Sequence, residues 1–209
     1  MRRIFVLSAA ATLLFPTLLA TENVKAIHDG HLTVGERADL VAQLEATQHR
    51  TLAAVAGLSD AAWSYRPAPD RWSVAEVVEH LVLAEGAFRT RIHDILESEP
   101  NPDWAAQTAG SLVALRSTVL DRSNKFPANP AVRPSGEVGR GELLERYVKA
   151  RAGTLTFARE NRLPLKTHTV DSQIFGVMNA YQWLNLIALH NQRHNAQIAD
   201  VLADPNLPR

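Results

Sequence analysis

Beyond residue 30, apolar residues recur at intervals of three and four along most of the chain, and no alternating run is long enough to predict a sheet. The first amphipathic stretch, Val34 to Leu58, places Leu40, Val41, Leu44, Leu52 and Val55 on one face, with Gly57 and Asp60 marking its end. A second runs from Val74 to about Glu97 with a stripe of Val74, Val77, Leu81, Ala84, Phe88, Ile92 and Ile95, and Ser73 with Glu76 forms a capping box at its start. A third spans Gly141 to Asn161. The fourth, NAYQWLNLIALHNQRHNAQIADVL from Asn179 to Leu202, has no Pro or Gly to interrupt it. Between the first two lies an irregular connector, Trp63 to Trp72, in which Pro67 and Pro69 stop helix continuation. Between the second and third lies a long excursion, Pro100 to Gly139, with five prolines and a short predicted helix at Ala106 to Leu120. Four long amphipathic helices in one chain predict an all-α four-helix bundle, and the excursion before the third predicts a long crossover connection.

The fourth helix carries the chemistry. At 100° per residue, Trp183, Ile187, Ile198 and Val201 fall within roughly 80° of His190, and His194 lies about 40° round, so both imidazoles are expected to face inward. Burying two imidazoles among Trp, Ile and Val is unfavourable unless their nitrogens find partners, and one cation can take a lone pair from each. A third ligand is needed, because pairs at this spacing also arise by chance. His80 is the candidate: it flanks the stripe of the second helix, beside Val77 and Ala84, where it can point into a cleft between two helices. Glu76, one turn before His80, is a candidate general base, although a glutamate at a capping-box position ordinarily serves the helix start. Gln197, about 20° from His190, can bind an ion, orient a ligand or pack near the bundle end, and packing is the expectation. His49 lies on a solvated edge, His28 and His31 follow the N-terminal leader, and His93 and His168 have no partner at ligand spacing. The aromatic cluster Trp63, Tyr65, Arg71 and Trp72 is expected to cover a bundle end.

Composition narrows the function. Lys plus Arg equals Asp plus Glu at 22 each among 209 residues, so no basic field exists to hold a nucleic-acid backbone. Cysteine is absent, which excludes disulfides, a cysteine nucleophile and thiolate ligands, and leaves nitrogen and oxygen donors for any metal. At the N-terminus, Arg2 and Arg3 precede the apolar run Ile4 to Phe15, which predicts a signal peptide over residues 1–26, cleaved after Ala20 or Ala26. Arg2-Arg3 also resembles a twin-arginine signal. The expectation is an exported, periplasmic or secreted protein with no membrane anchor after processing; a misassigned start codon would make it cytoplasmic. One domain is expected over residues 33–204.

Trp72-Ser73-Val74-Ala75-Glu76 leading to Glu79-His80-Leu81, then Phe175-Gly176 followed by Ala180-Tyr181-Gln182-Trp183 and His190 to Gln197, resembles the DinB-like (YfiT-like) superfamily over about Thr33 to Asp204. The resemblance implies a four-helix bundle, commonly a homodimer, with a divalent metal such as nickel, zinc or iron on His80, His190 and His194. It also implies a small-molecule substrate: some members resemble transferases using low-molecular-weight thiols, others are described as metal-dependent hydrolases. Reaction type does not transfer with the fold. A zinc-protease motif is excluded, since Asn191 follows His190 where that motif needs Glu. The alternative is a non-catalytic metal-binding or stress-associated bundle.

Overall fold

The computed structural model describes residues 29–123, 125–126 and 129–208; the segment assigned to a signal peptide, residues 1–26, lies outside them. Long helices span α1 (Val34–Val55), α3 (Val74–Leu96), α6 (Arg140–Glu160) and α7 (Ala180–Leu202), with short helices α2 (Asp60–Ser64), α4 (Trp104–Gln107) and α5 (Ser111–Leu120) between them. Capping boxes start α1 (Thr33 with Glu36), α3 (Ser73 with Glu76) and α7 (Asn179 with Gln182), each satisfying two backbone N–H groups that the first turn leaves unpaired.

Helices α1 and α3 face each other across the bundle, each packed on both α6 and α7. One layer of core joins the beginnings of α1 and α7 to the ends of α3 and α6, through Leu40, Leu44, Ile92, Ile95, Leu155, Ala158, Leu184 and Ile187. The other layer joins Val55 to Val74, Val77, Leu81, Leu143, Tyr147, Ile198 and Val201. Helices α3 and α6 therefore run parallel, which obliges residues 97–139 to travel the length of the bundle, as the crossover prediction requires.

That crossover departs from its predicted form. Gly110, at φ 70° in the left-handed region, divides the expected Ala106–Leu120 helix into α4 and α5. Helix α5 packs on the outer face of α7, where Leu115 and Val119 meet Leu186 and Leu189. In the segment after α6, which the sequence leaves as a loop, Thr169–Ser172 (β1) and Gly176–Asn179 (β2) pair as a small antiparallel hairpin within the otherwise helical fold. These four-residue strands carry a weak period-two signal, and they add Met178 and Phe175 to the cluster outside α7. The crossover and hairpin together wall a cavity against α3 and α7.

Between the two apolar layers lies a buried polar network that joins all four long helices. Arg151 of α6 is 1% exposed. Its guanidinium donates to Glu85 of α3 through Nε (2.9 Å) and Nη2 (2.9 Å), to Leu44 O (2.7 Å) and Thr47 Oγ1 (2.9 Å) of α1 through Nη1, and to Asn191 Oδ1 of α7 through Nη2 (2.9 Å). The Tyr147 hydroxyl also donates to Asn191 Oδ1 (2.7 Å), while Asn191 Nδ2 donates to Thr51 Oγ1 (3.0 Å). Each partner is hydrogen-bonded, the condition under which such groups are tolerated inside a bundle. Because Asn191 is gripped from α1 and α6, the rotation of α7 is fixed, and its neighbours His190 and His194 are turned toward α3.

Candidate metal centre

His80, His190 and His194 each present one nitrogen to a common point, with the three nitrogens within 4.8 Å of one another. His190 Nε2 is 3.2 Å from His80 Nε2 and 3.2 Å from His194 Nε2. The i, i+4 spacing on α7 stacks His190 and His194 on one face, and the flank position of His80 on α3 points it into the cleft between the helices, as the sequence predicts.

The outer nitrogens fix the roles of the inner ones. His80 Nδ1 donates to the carbonyl of Val132 (2.7 Å), in the 3₁₀ turn Pro130–Val132 of the crossover, and His194 Nδ1 donates to Gln197 Oε1 (2.7 Å). Both rings therefore direct an Nε2 lone pair at His190 Nε2, which can carry at most one proton. Such crowding of lone pairs suits a shared cation. Imidazole nitrogens about 2.0–2.1 Å from one ion stand roughly 3.3 Å apart in a tetrahedral set, close to the 3.2 Å that separates His190 Nε2 from each of the other two. The carbonyl and amide acceptors behind His80 and His194 are the customary orienting partners of metal-bound histidines.

Electrostatics keep these rings in the ligand form. Burial pushes His190 well below the ordinary imidazole range, and the adjoining His194, His80 and Arg193 add to the effect. Burial likewise takes His194 down to about 3, assisted by His80, against the opposing bond to Gln197. His80 is lowered by burial, partly offset by the Val132 carbonyl. Near neutrality all three are uncharged and offer lone pairs without proton competition.

Crossover position is secured by Glu79, the neighbour of His80. Its Oε1 accepts from Ser135 N–H (2.9 Å) and Ser135 Oγ (2.7 Å), and its Oε2 from Gly136 N–H (2.8 Å). Burial opposes ionisation of this carboxyl, but the donors outweigh it and hold it below the usual carboxylate range. A backbone loop tied to α3 in this way brings Val132 O to His80.

The three histidines line a cavity of about 680 Å³ together with Phe88, Trp183, Leu186, Phe126, Ile174 and Phe175, and with Asn129 and Val132 of the crossover. Phe88 meets His190 edge-on at 5.3 Å between ring centroids. Trp72 leans on His80 at 4.9 Å and lies nearly parallel to His194 at 6.4 Å. Trp72 packs on the core layer that holds Trp63, as expected of the aromatic cluster, and with Arg71 it also lines the cavity, which the expectation did not include. Trp63 and Tyr65 do close the bundle end, with Arg140 over the Trp63 ring and the Tyr65 hydroxyl donating to Asp204.

The structure does not bring Glu76 to the cavity. Its Oε2 accepts from Ser73 N–H (2.9 Å) and its Oε1 is paired with Arg66, so the carboxylate is spent on the helix start and a surface cation. Gln197, expected to pack at the bundle end, instead lines the cavity and orients His194; its place one turn after His194 was the available signal. His49 is exposed and His168 donates to Ser98 O, both away from the site. Gln197→Leu is expected to weaken metal binding about 10- to 100-fold by freeing His194 to rotate; competitive chelator titration measures it, and an unchanged affinity would dismiss the orienting role.

The fold is a four-helix bundle with an extended crossover, and its three-histidine cluster beside a side cavity could hold a metal ion. Residues 43–198 match the family model of the DinB superfamily, and the chain belongs to that superfamily. It is also similar to the uncharacterized protein YuaE of Bacillus subtilis (strain 168), 26% identical over 155 residues that cover 69% of this chain and 86% of that one. No helix among the described residues is long and apolar enough to cross a membrane.

Proposed function

We propose that the protein is a metal-dependent enzyme acting on a small molecule, by thiol transfer or hydrolysis, at a nickel, zinc or iron ion held by His80, His190 and His194. One observation carries this reading: the three histidines whose nitrogens converge line a large, mostly apolar cavity and are not enclosed by further protein ligands among the described residues. Structural metal sites are closed by protein ligands, whereas catalytic ones keep a position for water or substrate. An ion with three neutral imidazoles and an open position supplies Lewis acidity toward a water, a thiol or a carbonyl. The chain's own residues do the rest. Val132 O and Gln197 hold His80 and His194 in their ligand tautomers, Phe88, Trp72 and Trp183 keep water from the flanks of the rings, and the aromatic walls receive an apolar substrate body. With Glu76 turned away, Asp70 is the carboxylate found among the residues that line the cavity.

Elemental analysis of the tag-free protein tests the reading. About one equivalent of divalent metal is expected in the wild type and essentially none in the His80/His190/His194→Ala variant. A wild type that takes up no metal after reloading would overturn it and leave a non-catalytic bundle.

A further inference from the structure

The cavity mouth carries a charge pattern that the three-histidine reading leaves unused. A second recess of about 330 Å³ is lined by Arg71, Arg122, Lys125, Arg193, Gln197 and Asp200, and it shares Arg71, Lys125, Arg193 and Gln197 with the lining of the large cavity. The four cations come from three distant parts of the chain: Arg71 from the connector before α3, Arg122 and Lys125 from the crossover after α5, and Arg193 from α7. Their convergence is not a by-product of composition, because the chain as a whole is neutral. Asp200 is the sole carboxylate lining the recess and is paired with Arg122; Asp70 lines the neighbouring cavity and Asp121 lies close to Arg193. Arg193 is held in place, donating through Nη1 to Val119 O (2.9 Å) and Asp121 O (2.8 Å), with its guanidinium 5.3 Å from the centre of the Phe126 ring. Gln197 links the two compartments: it lines both and also receives the His194 Nδ1 proton. A cationic recess therefore adjoins an aromatic cavity, one side chain away from the converging nitrogens.

We infer that the substrate is an amphipathic anion, with a compact carboxylate, sulfonate or phosphate head seated among Arg71, Arg122, Lys125 and Arg193 and an apolar, aromatic body along Phe88, Trp183 and Phe175. This assignment rests on the proposed function and names the class of molecule its cavity takes. Cations arranged around a low-polarity cavity attract a charged head from solution and fix its orientation by charge-assisted hydrogen bonds, while the aromatic walls supply the apolar contact. A head held in the recess places the body across the histidine floor, so that the bond to be changed lies within the tail and close to the head.

A matched pair of fluorescent probes tests this in the metal-loaded full-length protein: anilinonaphthalene sulfonate, an aromatic anion, and uncharged phenylnaphthylamine, its counterpart without the sulfonate. The wild type is expected to prefer the sulfonate about tenfold or more, a preference that salt reduces. Arg71→Gln and Arg122→Gln should each lower sulfonate affinity several-fold, and together about tenfold, while phenylnaphthylamine affinity and metal content stay at wild-type values. Equal affinity of the wild type for both probes, or sulfonate binding unchanged in the double variant, would overturn the inference. Metal content on the same samples separates the two readings: a lost anion preference with metal retained refutes the substrate class alone. A retained preference in protein that takes up no metal refutes the metal-enzyme reading alone.

Discussion

Arg151→Met is expected to destabilise the fold by about 3–5 kcal/mol, the cost of leaving a buried carboxylate without its cation. Glu85 is 3% exposed, and in the variant only the Thr154 hydroxyl (2.7 Å) among its present bonds would remain. Leu44 O, Thr47 and Asn191 would each lose a donor as well. Removing both charges in Glu85→Leu/Arg151→Met should recover most of the loss, because an apolar pair of similar volume needs no compensation, while Asn191 Oδ1 keeps the Tyr147 hydroxyl and Leu44 O keeps Thr47 Oγ1 as donors. Urea unfolding of the single and double variants closes the cycle. A loss below about 1 kcal/mol in the single variant would mean that water reaches the network and that the pair does not hold the bundle centre. A second consequence concerns the site. Since Arg151 and Tyr147 hold Asn191, the residue beside His190, the single variant should also bind metal more weakly even though none of its missing bonds reaches a histidine.

The long helices were legible in the sequence because each satisfies a local rule. Helix α3 shows this best: Ser73 and Glu76 mark its start, the Val74 to Ile95 stripe gives its period, and the same period sets His80 on the flank that turns out to border α7. The three-histidine cluster followed from spacing on α7 plus one histidine on a neighbouring face, and the presence of a crossover followed from the length of the excursion before α6. What escaped the sequence depends on contacts between distant segments. Arg151 and Glu85 look like ordinary surface residues of amphipathic helices, and only the crossing of α3 with α6 shows that their partners are each other. Arg71 and Trp72 read as a loop cap until α7 places His194 beside the indole. The β1–β2 hairpin was missed because its strands have too few residues to alternate, and it is fixed instead by packing Met178 and Phe175 against α7. The role of Glu79 needed the crossover backbone, which no local pattern on α3 announces.

His190→Ala is expected to abolish the stabilisation that a divalent ion gives the fold. Ion present at about 1,000 times its dissociation constant adds about 4 kcal/mol to the native state, which raises Tm by roughly 8–16 °C in a domain of this size. His190 Nε2 lies 3.2 Å from both other Nε2 atoms, so its removal leaves two protein nitrogens where the site offers three. His80→Ala and His194→Ala likewise leave two of the three nitrogens, and each should lose most of the metal-linked shift. His49→Ala should retain all of it, since that ring is exposed and outside the cavity. The metal-free forms provide the internal control. Burial disfavours the charged form of all three rings, so replacing His190 removes a polar group whose neighbours compete for a single proton, and the metal-free variant should unfold close to the metal-free wild type. Differential scanning fluorimetry with and without added nickel or zinc reads both quantities. A full metal-linked shift in His190→Ala would place the ion elsewhere and remove the basis for an enzyme at this cavity. A shift lost in each single histidine variant and in the triple one, and kept in His49→Ala, would assign the ion to the three nitrogens that α3 and α7 bring together.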